Sequence, residues 1–184
     1  MLAAAELLAY IDDRLTREVF RLELLDRYEV ESDGSDFARY LRGDQEPTPE
    51  RKQPWLDRLA RLRQAGIRNH RVHLLATPLT DYLRYECEWG YVWNARAGEE
   101  IGIIDRSERE APNLPVDHDF CLIDDTHAVR MNYDDECRFV GAEQVDESDV
   151  APYKEARDLL VHASEPFEEW WAQHPEEWRA NRVA

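Results

Sequence analysis

Residues 71–99 read RVHLLATPLTDYLRYECEWGYVWNARAGE. Val72, Leu74 and Ala76 alternate with Arg71, His73 and Leu75, the period of a strand whose two faces differ. Pro78 ends that strand, Thr80 or Asp81 can cap a helix after it, and Gly98 stops the helix. On a helical wheel Tyr82, Tyr85, Trp89, Val92 and Trp93 share one face. Arg84, Glu88, Tyr91 and Ala95 lie opposite, where Arg84 and Glu88 make an i,i+4 pair. A strand that feeds a helix of about five turns sets the plan of an α+β domain.

Upstream, Leu2, Leu7, Leu8, Ile11 and Leu15 fall near a helical period. Residues 20–30 fit neither period well and read as extended. Ser32 to Ser35 is a turn, and Ser35 can cap a short helix that Gly43 ends. Residues 44–52 form a polar loop with Pro47 and Pro49. Pro54 suits the first turn of a helix whose stripe is Trp55, Leu56, Leu59 and Leu62 and whose stop is Gly66.

Downstream the pattern changes to short strands. Residues 101–105 are the first. The four apolar residues 120–123 suggest a central strand covered on both faces. Val129, Met131 and Tyr133 alternate, and residues 137–145 follow a second acidic turn. Together these predict an antiparallel meander. Helix returns from Asp149, and a last helix opens at Pro166 and is broken or restarted at Pro175. The expected fold is α+β, an antiparallel or mixed sheet with a C-terminal meander, flanked by helices. The expected units are an N-terminal helix (1–18), a core (19–164) and a tryptophan-rich helical tail (165–184).

A chain of 184 residues can bury roughly 70% of its unfolded surface without staples. Its three cysteines have no CxxC spacing and read as reduced thiols, and the N-terminus lacks the basic region of a signal peptide. No apolar run approaches the roughly 20 residues of a membrane span. A cytoplasmic protein is expected. The net charge of −17 is uneven: −2 over residues 1–98 and −15 over residues 99–184. Such a field repels nucleic acid and suits a basic partner, although acidic surfaces also serve solubility alone. Residues 51–71 are the local exception, with seven bases against one acid.

Glu86 is the least usual residue, a carboxylate between Tyr82, Trp89 and Trp93 on the apolar face of the helix. Such a group needs a partner or a raised pKa. An ion pair with Arg71 is the expected arrangement, and a catalytic or ligand-binding carboxylate is the alternative. Asp117, His118, Asp119, Asp124, Asp125 and His127 crowd the ends of one strand, where metal binding competes with the ordinary role of aspartate in turns. His118 and Asp125 faintly echo the H-x-K-x-x-x-x-D phospholipase D signature, with Phe120 in the lysine position, so that active site would be dead. No nucleophile elbow, P-loop, dinucleotide fingerprint or HExxH is present. In the tail, Phe167, Trp170, Trp171 and Trp178 can share a helical face, either packed on the domain or offered to a partner.

Several stretches resemble an actinobacterial family known as a domain of unknown function, DUF6879. They are FRLELLDRYEV at 20–30, F-x-x-Y-L-x-G at 37–43, PW at 54–55, and R-x-x-x-x-x-x-P-L-T-D-Y-L-R-Y-E at 71–86. Asn94, AGE at 97–99, DF and IDD within 119–125, and FVGAE at 139–143 complete the pattern. The resemblance covers roughly residues 20–165. Cys121 and Cys137 stand where it has a tryptophan and a glycine. It marks Arg71, Tyr82, Arg84, Glu86, Asn94, Glu99, Asp119 and Asp124 as a candidate polar cluster. Relatives encoded beside helix-turn-helix regulators and small acidic proteins imply a regulatory or accessory role. The expected function is a non-catalytic regulatory protein that binds a basic protein partner, such as a DNA-binding regulator. It would have no cofactor, no metal, no direct nucleic acid and no membrane, and a homodimer stays open. The alternative is a small-molecule-binding or degenerate phospholipase D-like phosphoester-handling domain; an acidic nucleic-acid mimic is a third reading.

Overall fold

The computed structural model describes residues 1–29 and 34–181. Val30, Ser32 and Asp33, named in the expected strand and turn, lie outside them. Helix α1 (Ala4–Asp12) leads into β1 (Glu18–Glu23), which occupies the first part of the segment expected to be extended. Helix α2 is Asp36–Leu41 and α3 is Pro49–Gln64. The expected start of α3 at Pro54 is corrected by five residues. Thr48 is extended and Pro49 takes the first helical position, where its fixed φ and missing N–H cost nothing. Buried Asp36 accepts the Thr48 N–H at 3.0 Å and holds that turn.

Strand β2 (Arg68–Leu75) is followed by α4 (Asp81–Tyr85), a π-helical segment (Glu86–Tyr91) and α5 (Val92–Ala97). Thr80 caps α4 by accepting the Leu83 N–H at 3.1 Å. Gly98 stops α5 at φ +113°, a conformation that suits glycine. The chain continues through β3 (Glu100–Asp105), β4 (Phe120–Ile123), β5 (His127–Tyr133) and β6 (Phe139–Gln144). It closes with α6 (Ala151–Ala163), the two-residue β7 (Glu165–Pro166) and α7 (Phe167–Gln173). No helix among the described residues is long and apolar enough to cross a membrane.

The sheet is mixed, in the order β6-β5-β4-β1-β2-β3-β7. β1, β2 and β3 are parallel, and β4, β5 and β6 form the antiparallel meander. The expectation that residues 101–105 begin the meander is corrected: they pair with β2 in parallel. Helix 81–97 carries the chain back to the starting end of β2, so the next strand must run the same way. The meander begins only after residues 106–119 have crossed to the far side of β1, where β4 pairs antiparallel. All four β4 residues are buried, as their unbroken apolar run predicts.

Alternation divides the sheet. Phe20, Leu22, Val72, Leu74, Ile104, Phe120 and Leu122 pack on one face against Tyr153, Ala156 and Leu160 of α6. The opposite face carries two apolar ends. Val19, Cys121, Ile123 and Val129 meet Leu7 and Ile11 of α1. Leu75, Ile101 and Ile103 meet Leu79 and, from helix 81–97, Leu83, Cys87 and Tyr91, together with Phe167 and Trp170. The other side of helix 81–97 is covered by an aromatic group of Tyr28, Tyr40, Tyr82, Tyr85 and Trp89. This helix is therefore buried on both sides.

Candidate functional site

Between the two apolar ends, the odd-numbered positions of β1 and β2 place charged and polar side chains on one face. Arg21 stands opposite Arg71, and Glu23 opposite His73. Arg71 is buried. It donates from Nη1 to Glu23 Oε1 at 2.8 Å, and from Nε and Nη2 to Glu99 Oε1 at 3.0 and 2.7 Å. Asn94 Nδ2 donates to Glu99 Oε2 at 2.8 Å, and Asn94 Oδ1 accepts from Lys52 Nζ at 2.8 Å. Burial opposes the charge on Arg71, but Glu23 and Glu99 outweigh it and hold the guanidinium above its ordinary range. Burial alone would raise the Glu23 carboxyl. Arg71, with His73 and Arg21, outweighs burial and brings it down to about 2.

The expected Glu86–Arg71 ion pair is corrected. Glu86 is half-buried, with Oε2 at 4.0 Å from His73 Nδ1, and the carboxylates bonded to Arg71 are Glu23 and Glu99. The wheel placed Glu86 on the inner face, but β1 lies next to β2 in the sheet. Glu23 therefore reaches Arg71 from the neighbouring strand.

The π-helical segment decides where Tyr91 goes. Six residues wound more loosely than an α-helix turn Tyr91 back by about a quarter turn, onto the side of Leu83 and Cys87. Its hydroxyl then lies 2.7 Å from both Glu23 Oε2 and His73 Nδ1. His73 Nε2 lies 3.0 Å from the Leu25 carbonyl, which only accepts, so that nitrogen carries a proton. Burial holds the imidazole below its ordinary range despite Glu23. The Tyr91 hydroxyl donates to Glu23 and stands within hydrogen-bond distance of His73 Nδ1, so it links the carboxylate of β1 to the imidazole of β2.

The outer face expected for Arg84, Glu88 and Tyr91 does not exist. The tail covers it. Arg84 is buried and donates from Nε to Glu177 Oε2 at 2.9 Å, and from Nη1 to Asp81 Oδ1 at 3.0 Å. Glu88 accepts the Arg179 N–H at 2.7 Å rather than pairing with Arg84. Phe167 and Trp170 are buried, which removes them from the expected partner surface; Trp171 and Trp178 are half-buried. Trp178 Nε1 donates to the Trp171 carbonyl at 3.0 Å.

Asp119 and Asp124 stand apart from the Arg71 cluster. Asp119 accepts from Tyr28 Oη at 2.6 Å and from the Leu24 N–H at 2.9 Å. Burial nevertheless raises its carboxyl to about 6. Asp124 accepts three backbone N–H groups, from Thr16, Arg17 and Glu18, each at 2.8 Å. It splices the entry of β1 to the β4–β5 turn. Burial would raise its carboxyl, but Thr16 and these backbone donors hold it below the ordinary range. His118 bonds Tyr153 and Asp125 pairs with Arg157, at opposite ends of β4, so the phospholipase D echo is not assembled. Tyr82 belongs to the aromatic group.

Of the expected cluster, Arg71, Asn94 and Glu99 come together directly, with Glu86 at its rim. Glu23, His73 and Tyr91 belong to the same cluster and were missed. Their signal was present: Arg21 and Glu23 alternate with Phe20 and Leu22, as Arg71 and His73 alternate with Val72 and Leu74.

A family model described as Domain of unknown function (DUF6879) matches residues 5–172, which extends the resemblance at both ends to take in most of α1 and the Phe167–Trp171 part of the tail. No curated protein matches the chain. With nearly its whole length matched to that model, the chain belongs to the DUF6879 family.

Proposed function

We propose that this protein is a non-catalytic regulatory or accessory protein whose acidic C-terminal half binds a basic protein partner in the cytoplasm. A DNA-binding regulator has the required charge. One contrast carries the reading. The polar groups best suited to chemistry are spent inside the fold, Arg71 on Glu23 and Glu99, Asp119 on Tyr28, and Arg84 on Glu177. The acids Glu147, Glu155, Glu168 and Glu169 are instead exposed, and among the described residues none forms a salt bridge. Unpaired surface carboxylates of one sign steer and orient a cationic partner.

The test is capture from an extract of an actinobacterial host, which the family resemblance implies, with the four acids changed to lysine in a control bait. A basic protein retained by the natural chain in a salt-sensitive way, and lost with the lysine variant, supports the proposal. Equal capture by both baits overturns it.

A second reading, a small-molecule-binding domain, rests on an open groove of about 760 Å³ beside the N-terminal ends of β2 and β3. Arg71 and Glu99 line it together with Arg63, Arg68 and Glu165. A ligand there would meet exposed Arg63, so its binding would weaken in Arg63→Met while partner capture would not change.

A further inference from the structure

Asp105 ends β3, at the carboxyl end of the parallel strands, opposite Leu75 of β2. Open parallel sheets present their ligand-binding groups at that end. The chain turns tightly there, with the Glu108 N–H donating to the Asp105 carbonyl at 3.1 Å, which brings Glu108 back over the strand end. The tail comes down on the same point just after α7, where His174 is buried. One ligand atom from each of Asp105, Glu108 and His174 lies within 4.8 Å of the other two.

Two details separate this cluster from ordinary surface acids. Asp105 is fully buried, and its Oδ1 accepts from the N–H groups of Ser107 at 2.8 Å and Thr77 at 3.3 Å, while Oδ2 has no hydrogen-bond partner among the described residues. A buried anionic oxygen without a donor is costly unless a cation meets it. The basic neighbours in the sequence are engaged elsewhere, Arg106 with Asp26 at 3.6 Å and Arg109 with Glu165. His174 is also oriented for ligation. Its Nδ1 lies 2.7 Å from the Trp170 carbonyl, which accepts only, so that nitrogen carries a proton and Nε2, which faces Glu108 at 3.1 Å, is the atom that can ligate. The ring stacks on Trp170 at 4.5 Å between centroids, which fixes the direction of Nε2. A histidine held through its other nitrogen by a carbonyl is the usual support of a metal ligand.

We propose that Asp105, Glu108 and His174 bind one divalent transition-metal ion. An imidazole with two carboxylates suits Zn²⁺ or its chemical neighbours better than Mg²⁺ or Ca²⁺, which prefer all-oxygen sites. Ligand arms of about 2.0–2.1 Å in a tetrahedron set donor atoms about 3.3–3.4 Å apart. His174 Nε2 and Glu108 Oε1 are 3.1 Å apart. Glu108 is exposed, so its side chain can swing to close the longer separations. The ion would tie the tail to the end of β3, leaving at least one coordination position for water or a ligand.

The experiment uses the full chain, stripped with a chelator, and titrates Zn²⁺ and Co²⁺ by calorimetry and visible absorption. The expected result is one ion per chain and a raised melting temperature. Glu108→Gln should weaken binding at least about tenfold and remove the metal-dependent rise in melting temperature. His174→Ala and Asp105→Asn should abolish it. No stoichiometric binding, or equal affinity in the natural chain and Glu108→Gln, overturns the site and leaves a His174–Glu108 ion pair. Binding that survives Glu108→Gln but disappears in Cys137→Ser also overturns it, because the ion would then sit on the half-exposed thiol.

Discussion

At the scale of single residues, the polar cluster is governed by what an unpaired buried charge costs. Arg71 holds Glu23 and Glu99 together, so among the described residues its removal leaves buried Glu99 without a cation and Glu23 with Arg21 alone at 3.4 Å. Arg71→Met is expected to lower stability by about 3–5 kcal/mol in urea denaturation; a loss under about 1 kcal/mol would show that water, not Arg71, satisfies the acids. Tyr91→Phe removes only the bridging hydroxyl and should cost about 1–3 kcal/mol. His70 responds to pH. Burial, with Arg68 and Arg157 nearby, lowers its imidazole from 6.5 to about 3. Between those values the unfolded chain binds a proton that the folded chain refuses, so stability falls as pH drops below 6.5. The slope approaches about 1.4 kcal/mol per pH unit. Asp119, raised to about 6, acts in the opposite sense between about 6 and 3.8. The His70 contribution is therefore read as a difference: His70→Gln should lose stability less steeply than the natural chain from pH 6.5 to 4.5. Parallel pH curves for the two proteins would refute it.

At the scale of elements, helix 81–97 and the tail explain each other. A helix with Tyr82, Tyr85 and Trp89 on one side and Leu83, Cys87 and Tyr91 on the other is apolar nearly all round and must be covered twice. α7 supplies part of the second cover with Phe167 and Trp170, and Glu177 neutralises Arg84 at its edge. Trp170→Ala should accordingly cost about 3–5 kcal/mol, whereas half-buried Trp171→Ala should cost roughly 1–2 kcal/mol. Chemical denaturation of both variants separates them, and equal losses would mean that the tail packs as a loose aromatic layer.

At the scale of the whole molecule, the proposed choice of partner rests on charge. Of the seven bases in residues 51–71, Arg71 is buried, Arg51 pairs with Asp36, Arg58 with Asp12, Arg68 with Glu100, and Lys52 binds Asn94. Arg61 and Arg63 remain exposed. Two arginines without a salt bridge among the described residues cannot offset a net charge of −17 against a phosphate backbone, so no retardation of duplex DNA is expected at physiological salt. Salt-sensitive binding at micromolar protein in a gel-shift would refute this and move α3 to the centre of the function.

The sequence by itself determined which segments are helix or strand around residues 71–99, the covered strand at 120–123 and the asymmetry of charge. These follow from periodicity and composition, which are local. Only the tertiary structure decided that β3 runs parallel to β2, since direction depends on where helix 81–97 returns the chain. It alone decided that Arg71 faces Glu23 and Glu99 rather than Glu86, because strand neighbours are chosen by sheet order and not by distance along the chain. It turned Tyr91 inward through a π-helical winding that no residue spacing announces. It also brought His174 to Asp105 and Glu108 from a tail about 70 residues away in sequence, a meeting set by how a doubly apolar helix must be covered.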